Sequence, residues 1–265
     1  MFIKGLILTI AVFIAVSVFG GCSSTQVAST ETASQETTRP DHSHLEELYW
    51  SRLQQSRMNF VQEDVDFMNK MIVHHAQALV MAQIVPDNTS NRQLHMLANR
   101  IINAQVDEIA TMQKWLSDRK QPITYVQVDG INLFAWTEQP LDNPNLSASQ
   151  ARFQNMRQHM QHRQSGGNAT NVHDDVEGHG SMPGMLTREQ LEELNNSREE
   201  AFDRLFLQLM IEHHEGAIYM VYELFDADGA AVDIESYAVA TEIYADQKTE
   251  IETMHLLLEQ MQNQE

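Results

Sequence analysis

Cysteine is almost missing from this chain of 265 residues: one thiol, Cys22, stands beside 15 methionines and 12 histidines. A single thiol excludes an internal disulfide framework, a CxxC motif and a four-cysteine zinc site, each of which needs at least two. Basic residues are scarce too, with 17 Lys and Arg against 37 Asp and Glu and a formal charge of −20. Affinity for phosphates comes mostly from Lys and Arg that release counterions, so a nucleic-acid partner is excluded and cationic partners are favoured. Helix breakers are few, with 6 prolines and 11 glycines. Any metal chemistry must run on His, Met and carboxylates. With 42% apolar residues the chain is able to bury a sizeable core, as one large domain or two small ones.

The chain opens on an export pattern. Lys4 supplies a positive start, Leu6 to Phe19 is an apolar run, and Phe19-Gly20-Gly21 places small residues before Cys22. Small residues followed by Cys resemble a bacterial lipobox, which makes residues 1–21 a lipoprotein signal peptide and Cys22 the lipidation site. The other reading is an uncleaved membrane anchor. Both send the rest of the chain to the cell envelope, on the periplasmic or extracellular side. Residues 22–41, rich in Ser, Thr, Gln and Glu, cannot bury enough surface to offset their ordering entropy and read as a disordered tether.

Beyond the tether the pattern is all-α. An N-terminal helix is expected over 42–58, a first helical hairpin over 59–120, a connecting segment over 121–186 and a second helical hairpin over 187–265. Ser90 with Gln93, Ser147 with Gln150 and Thr187 with Gln190 offer capping boxes at helix starts, and Pro86 and Gly229 mark stops. One strand-like excursion is predicted near 123–136, turning at Asp129-Gly130.

An internal repeat organises the hairpins. Phe67 to Met81 aligns with Phe206 to Met220 at an offset of 139 with seven identities, and Gln105 to Met112 aligns with Gln247 to Met254 at an offset of 142. Two such hairpins make a four-helix bundle or two packed modules. At ~100° per residue, Met71, His74, His75, Ala78 and Met81 share one helix face, as do Met210, His213, His214, Ala217 and Met220. On the returning helices, Gln105, Glu108 and Met112 form one stripe and Gln247, Glu250 and Met254 another. Imidazole with thioether is a soft-to-borderline donor set that favours copper. Adjacent His diverge by ~100°, so one of each pair is free to face a metal while the other meets a carboxylate or solvent. A second soft cluster lies between the repeats, with Met156, His159, Met160 and His162 near the end of an expected helix and His173, His179, Met182 and Met185 in the Gly-rich stretch that follows, and Asp41-His42-Ser43-His44 is a weaker two-His motif.

Three stretches, Met182-Pro-Gly-Met-Leu186, Phe202-Asp-Arg-Leu-Phe206 and Met210-Ile-Glu-His-His-Glu-Gly-Ala217, resemble the signature of the domain-of-unknown-function 305 (DUF305) family. The first copy departs from it, with Ala76-Gln77 where the second has Glu215-Gly216. The resemblance implies a ferritin-like helical bundle. It also implies copper binding tied to copper tolerance, with Met71, His74, His75, Met210, His213 and His214 as matching candidates. A ferritin-like oxidase needs Glu-x-x-His on two helices, and this chain has only Glu252-Thr-Met-His255, so no enzyme is expected. The expected function is an envelope-anchored protein that sequesters or transfers Cu(I) or Cu(II), with a copper-delivery protein as a possible partner. The competing reading is a metal-independent interaction module whose His and Met merely fill a helical core.

Overall fold

The computed structural model describes residues 43–139, 170–171 and 182–263. Seven helices and three short strands occur among them. Helix α1 (Ser43–Arg57) precedes α2 (Gln62–Gln83), the one-turn α3 (Val85–Asn88) and α4 (Arg92–Asp118). Strands β1 (Ile123–Asp129), β2 (Asn132–Glu138) and β3 (Thr170–Asn171) follow, then α5 (Arg188–Asn196), α6 (Glu199–Asp226) and α7 (Ile234–Gln262). Cys22, the tether, Met156, His159, Met160, His162, His173 and His179 lie outside the described residues, as does the Ser147 cap.

The bundle is all-α at its centre, built from the two repeated hairpins. α2 packs on α4, α6 on α7, and the hairpins meet chiefly through α2 and α6. Sequence explains which helices sit inside. α4 buries Leu94, Leu97, Ala98, Ile101, Ile109 and Met112, a stripe at three- and four-residue spacing, and leaves its other face to water. α2 is buried without a break from Met71 to Ala82 because its sequence there is apolar nearly all round.

The hairpins are pinned at equivalent aspartates. Asp64 at the start of α2 accepts hydrogen bonds from Ala231 N (2.8 Å) and Ser236 Oγ (2.6 Å), beside the start of α7. Asp203, its counterpart 139 residues on, accepts from Asn91 Nδ2 (2.7 Å), the N-cap of α4. The start of α2 thus lies by the end of α6, and the two central helices run antiparallel.

Two local expectations are corrected. Asn91 caps α4, its side chain accepting from Gln93 N, where Ser90 was expected. Ser90 instead binds Glu199. Pro86 lies between α2 and α4 as expected, in the first turn of the short α3, where its missing N–H costs nothing. The excursion is a β-hairpin as predicted, but Asp129 pairs with Asn132, so the two-residue loop is Gly130-Ile131, with Gly130 at φ +58. The two-residue β3 adds to β2 through a pairing remote in sequence. Asn69 holds the hairpin on α2, accepting from Thr124 N at 2.8 Å and donating to Pro122 O at 3.1 Å.

Candidate metal centre

Four imidazoles meet in the middle of the bundle, where neither their polarity nor their number is expected of a core. His74, His75, His213 and His214 are all essentially solvent-free. His74 of α2 and His213 of α6, equivalent positions of the two copies, face each other across the hairpin interface with ring centroids 4.0 Å apart. Their neighbours turn the other way, toward the returning helices. His75 Nε2 lies 2.6 Å from Glu108 Oε2, although its N–H is not aligned for a hydrogen bond, and His214 Nε2 bonds Glu250 Oε2 at 2.8 Å. Each copy therefore sends one His to the interface and one to a carboxylate, the division that the helical angle between neighbours allows.

The hydrogen bonds fix the tautomer of His74. Its Nε2 lies 2.9 Å from the Pro183 carbonyl, which can only accept, so Nε2 carries the proton. Burial first, and then the charge of His75, push the His74 pKa down to about 3. The ring is neutral, and Nδ1 is a bare lone pair with no hydrogen-bond partner. His213 is driven well below its usual range as well, by burial and then by His74, and neither of its ring nitrogens has a partner. Buried polar atoms are seldom left in that state.

Thioethers flank the pair. Met71 and Met210 lie one turn before the interface His on their own helices, Met81 and Met220 two turns after, and all four are buried. With the helices antiparallel, Met71 and Met220 fall on one side of the His pair and Met210 and Met81 on the other. Ala78 and Ala217, one turn past each His, are buried as well and add little bulk. Met112 and Met254 are buried one turn beyond Glu108 and Glu250 on the returning helices. Among the described residues, no three His, Cys, Asp or Glu side chains converge as a metal cage. A soft ion would draw on two imidazoles and thioethers.

The end of the connecting segment straps this centre. Pro183 and Gly184 cross α6 at Gly216, where a Cβ would stand 2.1 Å from the Pro183 carbonyl oxygen. Gly184 takes φ +74 and lies against the backbone of Glu212 and His213. Gln77 of α2 grips Leu186 with both ends of its amide, donating to its carbonyl at 2.9 Å and accepting from its N–H at 2.7 Å. Met182 is buried and Met185 half-buried, both packed on the core. Neither Gln77 nor Gly216 is among the residues expected to build the site. The signal was present, since they occupy the same repeat position and the copies differ there because one strap must rest on two otherwise equivalent helices. His44 is exposed on α1, away from the buried cluster.

Acid destabilises the metal-free protein through these rings. The unfolded chain takes up a proton on each near pH 6.5, whereas folded His74 does so only near 3. Stability is therefore full above the unfolded value and falls as pH drops between them, by about 3 kcal/mol at pH 4 for His74 alone. Urea unfolding from pH 7 to 4 checks this. His74→Gln should flatten the profile, and equal slopes in variant and parent would refute the assignment.

No curated protein matches the chain. Among solved structures, a DUF305 fragment from Deinococcus radiodurans is 24% identical, with 76% of this chain and 98% of that one covered at a TM-score of 0.50. A DUF305 protein from Streptomyces coelicolor, described as secreted, is 23% identical over 75% and 93% at 0.49. CopM is similar at 20% over 74% and 96% in its Cu(I)-bound form (0.44), and at 23% over 76% and 97% in its Cu(II)-bound form (0.46). The likeness to the Deinococcus structure establishes the fold as a helical bundle. The family model for a domain of unknown function, DUF305, matches residues 64–258 and takes in both His-His helices and both returning helices, and the chain belongs to that family.

Proposed function

We propose that this protein binds Cu(I) between His74 and His213, with thioethers from Met71, Met81, Met210 and Met220 completing the coordination, and that it sequesters or passes on copper without catalysing a reaction. One observation carries the reading: a neutral His74 whose Nδ1 lone pair is free faces a His213 with both nitrogens free, in a site closed to water. Ligating imidazoles commonly donate their other N–H to a backbone carbonyl, as His74 does to Pro183. Leaving such atoms unpaired in a core costs free energy that a metal would recover. Neutral imidazole and thioether together suit Cu(I), and neither needs to lose a proton at neutral pH. CopM has been seen with copper in both oxidation states.

In the same reading His75 and His214, held by Glu108 and Glu250, support the interface pair. His159, His162 and His179, which lie outside the described residues, with Met182 and Met185 make a second donor set that hands copper on to a delivery protein. The export pattern supports a place in the cell envelope, tethered through Cys22. Among the described residues no helix is long and apolar enough to cross a membrane.

Copper titration of the purified protein, under reducing and oxidising conditions with bound metal counted, tests this. Tight Cu(I) retention with a raised melting temperature is expected, about 2.7 kcal/mol at a hundredfold excess over Kd. Absence of retained copper at micromolar concentration would leave the metal-independent module, which the packing of every buried methionine into one core also favours.

A further inference from the structure

The outer groove between α6 and α7 carries an aromatic ladder of which only Tyr244 packs against the bundle core. Tyr222 and Tyr244 meet edge to face with centroids 5.8 Å apart, and Phe225 meets Tyr237 at 5.7 Å. Tyr219 stands one turn before Tyr222. Tyr219, Tyr222 and Tyr237 are each more than half exposed and Phe225 is 41% exposed, so the rings face water although they are large and apolar. Four of the chain's six tyrosines are here. The same repeat positions in the first hairpin hold Val80, Gln83, Pro86, His95 and Ile102. The duplicated fold therefore does not require aromatics at this place.

A recess of about 450 Å³ opens along the ladder, lined by Tyr219, Tyr222, Glu223, Phe225 and Asp226. The two charged residues that line it, Glu223 and Asp226, are both acidic. From Leu205 to Gln247 there are nine Asp and Glu and no Lys or Arg, and of those acids Asp233 and Glu235 pair with Arg119 and Arg57 of other elements. Exposed rings with carboxylates between them suit one ligand chemistry above others, a planar cation that stacks on the rings and pairs with the acids. Two alternatives are disfavoured by the same charge. An anionic lipid surface would be repelled. A second copy using this face in a two-fold contact would set one acidic groove against another.

We propose that this groove docks an arginine-bearing basic segment of a partner protein, its guanidinium groups stacking on Tyr219, Tyr222 and Phe225 and pairing with Glu223 and Asp226. Guanidinium stacks on aromatic faces better than the compact, strongly hydrated ammonium of lysine, so the groove selects arginine over lysine and not merely positive charge.

Fluorescence anisotropy of labelled nona-arginine and nona-lysine peptides with the full chain tests this. Nona-arginine is expected to bind several-fold tighter than nona-lysine. In the Tyr222→Ser, Phe225→Ser variant that preference should vanish and arginine-peptide affinity should fall about tenfold, the worth of two exposed cation–π contacts. Glu223→Gln with Asp226→Asn should weaken both peptides and reduce the salt dependence. Unchanged melting temperatures show that the variants fold, and if the aromatic double variant melts early, Tyr219→Ser alone is measured for the same loss of preference. Equal affinity for the two peptides, or a preference that survives removal of the rings, would reduce the effect to net charge and overturn the proposal. Self-association in sedimentation that disappears with the aromatic variant would assign the groove to a second copy and overturn it as well.

Discussion

Changing His74 and His213 together to Gln should remove tight Cu(I) binding while leaving the metal-free bundle close to its original stability. The two rings meet at 4.0 Å but leave three of their four ring nitrogens without partners, so little hydrogen-bond energy is lost with them. The exception, His74 Nε2 to Pro183 O, is a bond that a Gln amide can remake. The apo protein is therefore expected to lose no more than about 1 kcal/mol, within the ordinary range for a single-site change. Copper affinity should fall by more than about a hundredfold, since outer-shell partners alone are commonly worth 10–100-fold. Metal counting and thermal melts with and without Cu(I) separate the alternatives. If the double variant unfolds readily in the absence of metal yet still holds copper, the histidines are packing and the site lies elsewhere. The companion change of His75 and His214 to Gln has a different signature. It removes the imidazole beside half-buried Glu108 and the one that bonds buried Glu250, and should cost stability before it costs binding.

Gly216→Ala is expected to destabilise the protein, against the usual sign for that change in a helix. Replacing a mid-helix Gly by Ala ordinarily gains about 0.5–1 kcal/mol because the unfolded chain loses freedom. At Gly216 the added methyl would meet the Pro183 carbonyl oxygen at 2.1 Å and Gly184 Cα at 2.7 Å. Both are backbone atoms and cannot swing aside. The strap must lift, which breaks the Pro183 contact to His74 and strains the two Gln77 bonds to Leu186. Overpacking of this kind costs roughly 1–3 kcal/mol, and each lost buried hydrogen bond about 1 more. A fall in melting temperature of roughly 5–12 °C follows for a domain of this size. Differential scanning calorimetry would show it, and a melting temperature at or above the parent's would mean that the strap does not rest on α6.

Much of the two hairpins was legible in their residues. The repeat at offsets of 139 and 142, the apolar periodicity of α4 and the hairpin signal at Gly130 are all local patterns, and each produced the element expected of it. The His-Met faces were legible for the same reason, since residues three and four apart on a helix share a side. The carboxylate partners were half legible, as Glu108 and Glu250 stand on the stripes of the returning helices. Which ring of each adjacent pair faces inward was not. His74 and His75 both sit among apolar neighbours, and periodicity gives each an equal claim to the interface. The choice was made by the crossing of α2 and α6, which also brought Asp64 to the start of α7 and Asp203 to the cap of α4.

By itself the sequence determined the helices, their duplication, an acidic surface and a stock of imidazole and thioether donors on repeating faces. Only the tertiary structure decided that one imidazole from each copy should meet its twin, that the other should take a carboxylate, and that a single strap should close over the pair at Gln77 and Gly216. The reason is physical. Helical spacing is set within a few residues along the chain, but contact between residues more than a hundred positions apart depends on how whole faces pack, and no local pattern carries that information.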